Sequence, residues 1–232
     1  NINYQKLQYF FSESDWNINE LNNIRVKILQ NQRTTHAHNN GVLAIDDTAC
    51  PKPYAKHTEG AQVQYCGPSG KQENCNVAVA SCFVSNSKHF PVDFKSYLPI
   101  TTPNPENFKS KLDFAKELIA DAIAKGIPFR SVVVDSWYTS TDLIEFVASK
   151  NLSLTAEVKS NRSILFTHPQ TKQRRYLRAE QIIPIIKQFY QHKFKPVEIP
   201  QAGGSSKSVF TYSFKTKLKD CSTEVQVIFV FD

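Results

Sequence analysis

Residues 41–48 of the sequence, GVLAIDDT, contain a short apolar run that ends at two adjacent carboxylates. An apolar run of this length is typical of a buried strand, so we predict a strand over 42–46. A second run, SVVV at 131–134, is β-branched and is followed by Asp135 in the same way. If the two strands are neighbours in one sheet, Asp46 and Asp135 emerge at the same edge of that sheet.

The segments around these two strands alternate between strand and helix patterns. We predict strands over 76–85 and 90–98, then a helix over 107–125 whose apolar residues recur at helical spacing. A helix over 141–150 and a strand over 152–158 follow the second acid. Strands with antiparallel character, followed by alternating helices and strands, predict a mixed α/β fold with a sheet flanked by helices.

Two carboxylates at the ends of buried strands suit a metal site. Mg²⁺ prefers oxygen ligands, commonly one or two carboxylates, and keeps other positions open for phosphate oxygens. Paired cations can activate a water molecule and stabilise the leaving oxygen when a phosphodiester is cleaved. A simpler interpretation also fits these positions, because a strand often ends in Asp to cap the helix that follows.

Four sequence motifs occur in a fixed order along the chain. They are AIDDTACPK at 44–52, AQVQYCG at 61–67, GKQENCNV at 70–77 and VVVDSWY at 132–138. This series resembles the insertion-sequence transposases of the DDE superfamily, in the group whose first acidic motif reads I-D-[DE]-T-x-x-P-K. In that group a Q-Y-[CS]-G turn and a G-K-x-x-N-C-Q-V strand follow the first motif. The resemblance extends over residues 41–160.

The resemblance implies a ribonuclease-H-like catalytic domain and gives roles to three acids. Asp46 matches the first catalytic acid, Asp135 matches the second, and Asp47 is an auxiliary acid at the metal site. The implied cofactor is Mg²⁺ (or Mn²⁺), held by Asp46 and Asp135. The implied reaction is nicking of transposon ends by metal-activated water, followed by transfer of the freed 3′-hydroxyl to target DNA.

The resemblance also implies a third acid, a Glu on a helix that follows a β-rich insertion. No residue of this chain matches it well, since Glu157 lies in a predicted strand and Glu180 lies close to Pro184 within a basic segment. We therefore expect the third acid beyond residue 232 and expect this chain alone to be inactive. The absence of Met agrees with a part of a longer protein. Around the second acid, Trp137 departs from the family pattern.

Basic residues are concentrated in one segment of the chain. The net charge is +7, but residues 159–219 contain 13 Lys or Arg against two acidic residues. Such a segment indicates a polyanionic partner, although an ordinary solvated basic face fits the same counts. In a transposase the partner is DNA, both transposon ends and target. We expect the following residues to contact it, with Phe166 and Tyr176 stacking on exposed bases: Lys159, Arg162, Lys172, Arg174, Arg175 and Arg178.

These patterns predict three parts of the chain. Residues 1–40 form an N-terminal helical segment, residues 41–159 a partial ribonuclease-H-like core, and residues 160–232 an incomplete, basic, β-rich insertion. Within the insertion we predict a helix over 177–190 that Pro184 interrupts, and a loop over 195–204. The resemblance further implies a homodimer in the intact protein.

The composition bounds the class of protein. The chain is 41% hydrophobic and 21% charged, which is typical of a globular domain, and no apolar stretch is long enough to cross a bilayer. The five Cys contain no C-x-x-C pair, which favours a reducing, cytoplasmic setting. Two further functions stay open: a catalytically silent transposase remnant that binds DNA, and an unrelated α/β metal-dependent nuclease that uses the same two acids.

Overall fold

The computed structural model describes residues 3–38, 41–85, 88–99, 108–201 and 204–232. Contacts divide the chain into two compact units, Asn1–Val132 and Val133–Asp232. Within the described residues, every helix is too short or too polar to cross a membrane. The domain boundaries expected near residues 40 and 160 stay predictions.

Two helices form the start of the first unit, α1 (Tyr4–Ser12) and α2 (Ile18–Asn31). Each begins after an asparagine, Asn3 or Asn17, whose side chain accepts a hydrogen bond from the backbone N–H three residues later. Such caps satisfy N–H groups that have no partner within the helix. Arg25 of α2 donates to backbone carbonyl oxygens of Pro91 and Val92 at 2.7 and 2.8 Å, which fixes this helix on the sheet of its unit.

Four strands of the first unit pair antiparallel around a long central strand. These strands are β1 (Gly41–Pro51), β2 (Gln62–Cys66), β3 (Lys71–Val84) and β4 (His89–Tyr97). Strand β3 pairs with each of the other three. Alternate residues of β3, from Cys75 to Phe83, are buried, as expected for a strand with one face on a core.

Strand β1 is longer than the sequence predicts, and Asp46 lies in its middle rather than at its end. The ladder with β3 runs on past the predicted end at residue 46, with Asp46 opposite Ala80 and Pro51 opposite Cys75. The prediction was wrong because the apolar pattern reports burial, whereas the ladder joins backbone groups and tolerates exposed polar side chains. Gly41 is required at the start, since a Cβ there would lie 2.1 Å from the Phe83 ring.

Helix α3 (Lys111–Ala124) packs on β1, β3 and β4 through a buried face that includes Leu118 and Ile119. Its cap is Ser110, and the start predicted at residue 107 lies outside the described residues. The helix ends at Ala124, and Gly126, two residues later, has a φ of +69°, in the left-handed region that favours glycine. Strand β5 (Phe129–Val134) follows and lies next to β1 in the strand order β2-β3-β1-β5, so β1 is an interior strand.

The second unit begins within β5, and its described residues form two α-helices, a short 3₁₀ helix (Gln191–Lys193) and six further strands. The bounds are α4 (Thr141–Ser149), β6 (Ser153–Ala156), β7 (Ser163–Thr167), β8 (Arg174–Arg178), α5 (Ala179–Phe189), β9 (Lys195–Pro200), β10 (Ser206–Lys217) and β11 (Glu224–Phe231). Strand β6 follows β5 in the strand order, β7 and β8 form a hairpin, and β11-β10-β9 form an antiparallel sheet. Helix α5 packs Ile182 and Ile186 into a core with Ile164 and Phe229.

Two predictions for this unit are wrong, because both took proline as the end of a regular element. Pro184 does not interrupt α5, because its ring lies on the exposed side while Ala179, Ile182 and Ile186 keep a continuous buried face. The loop predicted over 195–204 is in part β9, which pairs with β10. Proline is tolerated in β9 because it is an edge strand, where one side of the backbone needs no ladder partner.

The predicted fold class, a mixed α/β structure with a sheet flanked by helices, is confirmed. Antiparallel strands come first, then α3, β5, α4 and β6 alternate, which agrees with the ribonuclease-H-like layout that the resemblance implies. The strands β7 to β11 form the β-rich part that was predicted to follow this core.

Candidate active site and nucleic-acid interface

Asp46 and Asp47 are adjacent on β1 and therefore point to opposite faces of the strand. Asp46 is exposed, whereas Asp47 is half-buried on the same side as the buried residues Leu43 and Ile45. One carboxylate oxygen of Asp46, Oδ1, accepts a hydrogen bond from the backbone N–H of Asp47 at 2.8 Å. The first predicted acid is thus an exposed carboxylate whose direction is fixed by its own strand.

Asp47 is bound by a lysine that the sequence motifs do not include. Lys111 Nζ donates to Asp47 Oδ2 at 2.7 Å, and the two side chains are 20% and 30% exposed. The same ammonium lies 5.3 Å from the centroid of the Tyr97 ring. Two adjacent carboxylates on one strand repel each other, and Lys111 offsets the charge of the inner one.

Helix α3 places Lys111 at this position because its first turn is strongly capped. Ser110 Oγ accepts from the backbone N–H of Asp113, and Asp113 Oδ2 accepts from the backbone N–H and the hydroxyl of Ser110 at 2.9 and 2.7 Å. The hydrogen bonds from Ser110 lower the pKa of Asp113. This reciprocal cap was the signal in the sequence, S-x-x-D, that could have marked Lys111 as the first residue of the helix.

Asp135 directly follows β5, as predicted, and accepts hydrogen bonds from the turn that comes after it. Its Oδ1 accepts from the backbone N–H of Trp137 at 2.9 Å and of Tyr138 at 3.3 Å. The Tyr138 ring is fully buried, which anchors this turn, while the Asp135 side chain is exposed. The hydroxyl of Thr139 donates to the backbone oxygen of Glu157 at 2.7 Å.

The second acid therefore lies in an ordered turn and does not cap α4. The cap of α4 is Ser140, whose side chain accepts from the backbone N–H of Leu143. The simpler interpretation of Asp135, a residue kept only to cap the next helix, is thereby removed. Asp46 is likewise not a cap, since it lies within a strand.

Three Glu residues that follow Asp135 in the sequence have different surroundings. Glu145 of α4 accepts from the backbone N–H and hydroxyl of Ser222 at 2.8 and 2.6 Å, and these bonds lower its pKa. Glu180 lies in the first turn of α5, beside Arg178 at 3.5 Å. Glu157 comes directly after β6. Among the described residues, no three His, Cys, Asp or Glu side chains are grouped so that they could hold a metal ion.

The hairpin of β7 and β8 presents most of the predicted DNA contacts. Arg174, Tyr176 and Arg178 alternate along β8 and share one face, with Arg175 on the other, and all four are exposed. Lys172 lies in the tight turn between the strands, with a φ of +56°. On this face the exposed Tyr176 thus lies between two exposed arginines along the strand.

Two of the predicted contacts differ from this arrangement. Arg162 is half-buried, and its guanidinium donates to Thr141 Oγ1 at 2.9 Å while its Nε is buried without a hydrogen-bond partner. Phe166 is only 5% exposed and lies in the core of its unit, so it is not available to stack on a base. Lys159 is exposed, and its backbone oxygen accepts from the N–H of Arg162.

Comparison with known proteins gives a family match over most of the chain. A family model described as "DDE superfamily endonuclease" matches residues 1–203. The chain is also 28% identical over 165 residues to a protein of Microchaete diplosiphon described as "Probable transposase for insertion sequence element IS701". The aligned part covers 70% of this chain and 42% of that relative, so the chain spans less than half the length of the relative.

Two solved structures are distantly similar. The strand transfer complex of the Drosophila P element transposase matches with a TM-score of 0.35 and 13% identity, over 81% of this chain and 42% of that one. The NurA nuclease from Sulfolobus solfataricus matches with a TM-score of 0.33 and 14% identity, over 99% of this chain and 80% of that one. At this level neither similarity bears on the function of the chain.

Proposed function

The chain belongs to the family of DDE superfamily endonucleases, and on this basis we propose that it carries two of the catalytic acids of a transposase that cleaves DNA strands at transposon ends and transfers them to a target. The observation that carries the proposal is the family match over residues 1–203, a range that includes both Asp46 and Asp135. The relative described as an insertion sequence transposase supports the same activity.

The acids fit the hard divalent cation that this chemistry requires. Asp46 and Asp135 are exposed carboxylates, and Mg²⁺ commonly takes one or two carboxylates together with water and phosphate oxygens. We assign these two side chains as the ligands of Mg²⁺ or Mn²⁺, with Asp47 as an auxiliary acid. Once bound, the cation would activate a water molecule and stabilise the leaving oxygen.

The protein prepares both ligands before any cation binds. Oδ1 of Asp46 is held by one backbone N–H, and Oδ1 of Asp135 by two, so each carboxylate has a fixed direction. Side chains fixed in this way lose little conformational freedom when they bind a ligand, which favours binding. The buried ring of Tyr138 keeps the turn around Asp135 in place.

The proposed DNA-binding surface is the exposed part of the basic segment. We assign phosphate contacts to Lys159 and to the β7–β8 hairpin, and base stacking to Tyr176, which is 44% exposed. The hairpin residues are Lys172, Arg174, Arg175 and Arg178. Arg162 is also basic, but its hydrogen bond to Thr141 favours a role in holding the hairpin to α4.

Two further parts of the proposal concern assembly and location. The homodimer is proposed from the resemblance alone, and a cytoplasmic location is supported by the free thiols of all five Cys.

Binding of Mn²⁺, followed by the electron paramagnetic resonance signal of the free ion, tests the metal site. We expect the chain to bind Mn²⁺, and Asp46→Asn and Asp135→Asn each to weaken binding at least about tenfold, because each removes a ligand. Asp15→Asn, which removes an exposed acid between α1 and α2, is the matched control and should bind like the parent chain. Equal binding by all four proteins would contradict the proposal.

The same variants separate the metal site from DNA binding. Asp46→Asn and Asp135→Asn should keep or slightly strengthen DNA binding, since removing a negative charge does not weaken attraction to phosphates. A parent chain that binds DNA and no Mn²⁺ would instead support a silent DNA-binding remnant.

A further inference from the structure

We propose that Lys111 lowers the affinity of the metal site at the first acid, Asp46, for its divalent cation. This inference rests on the proposed metal site and adds to it a positioning residue that lies outside all four sequence motifs. Lys111 acts through charge, since it binds the carboxylate of Asp47, which is adjacent to Asp46 in β1.

The Lys111 ammonium is held at a fixed place. It lies 2.7 Å from Asp47 Oδ2 and 5.3 Å from the centroid of the Tyr97 ring, and its side chain is only 20% exposed. As the first residue of α3, Lys111 follows the Ser110 cap directly. A charge in a fixed, partly buried position is screened less by water and salt than a charge at the end of a mobile surface chain.

Strand β1 places two carboxylates at adjacent positions, and Lys111 binds the carboxylate of Asp47. Asp46 points to the exposed face of β1 and Asp47 to the opposite face, but adjacent residues of a strand are only about 3.3 Å apart along its axis, so their charges influence the same neighbourhood. Lys111 offsets one of the two carboxylates, so the strand attracts a cation less strongly than two acids alone would. A site with moderate affinity suits a metal that must also exchange phosphate ligands during a reaction.

Substitution of Lys111 gives a result that a purely structural role does not predict. Lys111→Met should raise the affinity for Mn²⁺ about three- to tenfold, because a positive charge near a divalent cation is removed. Lys111→Arg should leave the affinity within about twofold of the parent chain, since the charge stays. Asp47→Asn should lower the affinity about three- to tenfold for the converse reason. A residue needed only for folding would weaken binding when it is removed.

The other end of α3 offers a matched control. Lys125 is the C-cap residue of α3, and its Nζ lies 2.7 Å from Asp93 Oδ2, with the two side chains 15% and 16% exposed. Lys125→Met removes the same charge from the chain and breaks an ion pair of the same length, but not at β1. We expect it to leave the Mn²⁺ affinity unchanged.

The outcomes distinguish failure of this inference from failure of the proposed function. If Asp46→Asn does not weaken Mn²⁺ binding, the metal site itself is contradicted. If Asp46→Asn does weaken binding but Lys111→Met leaves the affinity equal or lower, only the role of Lys111 is overturned. Lys111→Gln repeats the test with a polar side chain, and circular dichroism confirms that each variant is folded. If Lys111→Met and Lys111→Gln both unfold, an unchanged Mn²⁺ affinity in Asp47→Asn would overturn the inference.

Discussion

The region of β1 and α3 and the hairpin of β7 and β8 carry charge in opposite ways. Around α3, lysines bind acids closely: Lys111 binds Asp47 at 2.7 Å, and Lys95 binds Asp121 at 2.8 Å. In the hairpin, the closest ion pair among the described residues is Arg178 with Glu180, at 3.5 Å, and both side chains are at least half exposed. The two regions also differ in composition, since β1 and α3 contain two Lys and five acidic residues, whereas residues 163–178 contain one Lys, three Arg and no acidic residue.

The difference teaches that a polyanionic partner is indicated by exposed basic residues without close acidic partners, whereas a lysine bound to a nearby acid stabilises the fold. Burial disfavours the charged form of Lys95, but the hydrogen bond and charge of Asp121 raise its pKa. This lysine therefore stays charged, and its ion pair with Asp121 stabilises the fold. An exposed arginine without a close acid keeps its attraction for phosphate. Lysines bound to acids and exposed arginines should therefore respond differently to substitution, the first in stability and the second in DNA binding.

Removing the exposed arginines of the hairpin should have the largest effect, and this effect should be a loss of DNA affinity. We expect the triple variant Arg174→Ala, Arg175→Ala, Arg178→Ala to weaken DNA binding about 100-fold at low salt. The slope of log affinity against log salt should become about 2 to 3 units less steep, because three phosphate contacts are lost. Fluorescence anisotropy with a labelled duplex at several salt concentrations measures both quantities.

The control for this prediction removes the same charge from the first unit. Lys6, Lys27 and Lys56 are exposed, and their triple Ala variant has the same net charge as the hairpin variant. Its affinity for DNA should change less than about threefold. Equal losses in both triple variants would mean that net charge, and not the hairpin, governs binding.

Breaking a close, buried pair should instead affect stability. Asp93→Asn leaves the Lys125 ammonium, 15% exposed, without its carboxylate, so we expect the free energy of unfolding to fall by about 2 kcal/mol. Chemical denaturation monitored by circular dichroism measures this change. DNA affinity should stay within about twofold, and a large loss of DNA affinity with unchanged stability would reverse the contrast.

The cap that positions Lys111 should have a smaller effect. Ser110→Ala removes the side-chain bonds at the start of α3 and should cost about 1 kcal/mol of stability. Since Ser110 lowers the pKa of Asp113 below 3.8, that part of the stability is present above this pH and is lost as the pH falls through the lowered value. In an NMR titration the Asp113 pKa should rise in Ser110→Ala, and an unchanged value would contradict the cap.

The smallest effect is expected for an exposed pair. Lys207 and Asp232 lie 2.6 Å apart, but their side chains are 49% and 79% exposed. We expect Asp232→Asn to change the free energy of unfolding by less than about 0.5 kcal/mol, because water and salt screen this pair. A loss as large as that of Asp93→Asn would show that burial does not decide the strength of these pairs.

The sequence predicts the interior strands well because their apolar runs report burial directly. Residues 41–45 and 131–134 indicate β1 and β5, and Asp135 lies directly after its strand as expected. The continuation of β1 to Pro51 was not predicted, since it depends on a partner strand with the register Pro51 opposite Cys75. Local patterns carry no information about such a partner.

The candidate site was predicted only in part for the same reason. The acids could be found by their position after apolar runs and by the resemblance, but Lys111 is 64 residues from Asp47 in sequence. Contacts at this separation follow from the packing of α3 on β1, which a single sequence does not reveal. For Phe166 the local pattern was misleading. An aromatic residue in a basic segment was expected to stack on bases, but Phe166 is a core residue.

Cleavage of the protein by radicals from bound iron tests the central claim, that Asp46 and Asp135 hold the same cation. Fe²⁺ replaces Mg²⁺, and ascorbate with peroxide then generates hydroxyl radicals that cut the backbone beside the metal. We predict cuts close to both Asp46 and Asp135, and loss of both sets of cuts in Asp46→Asn as well as in Asp135→Asn. Cuts beside only one acid, or cuts that persist unchanged in both variants, would contradict a shared metal site.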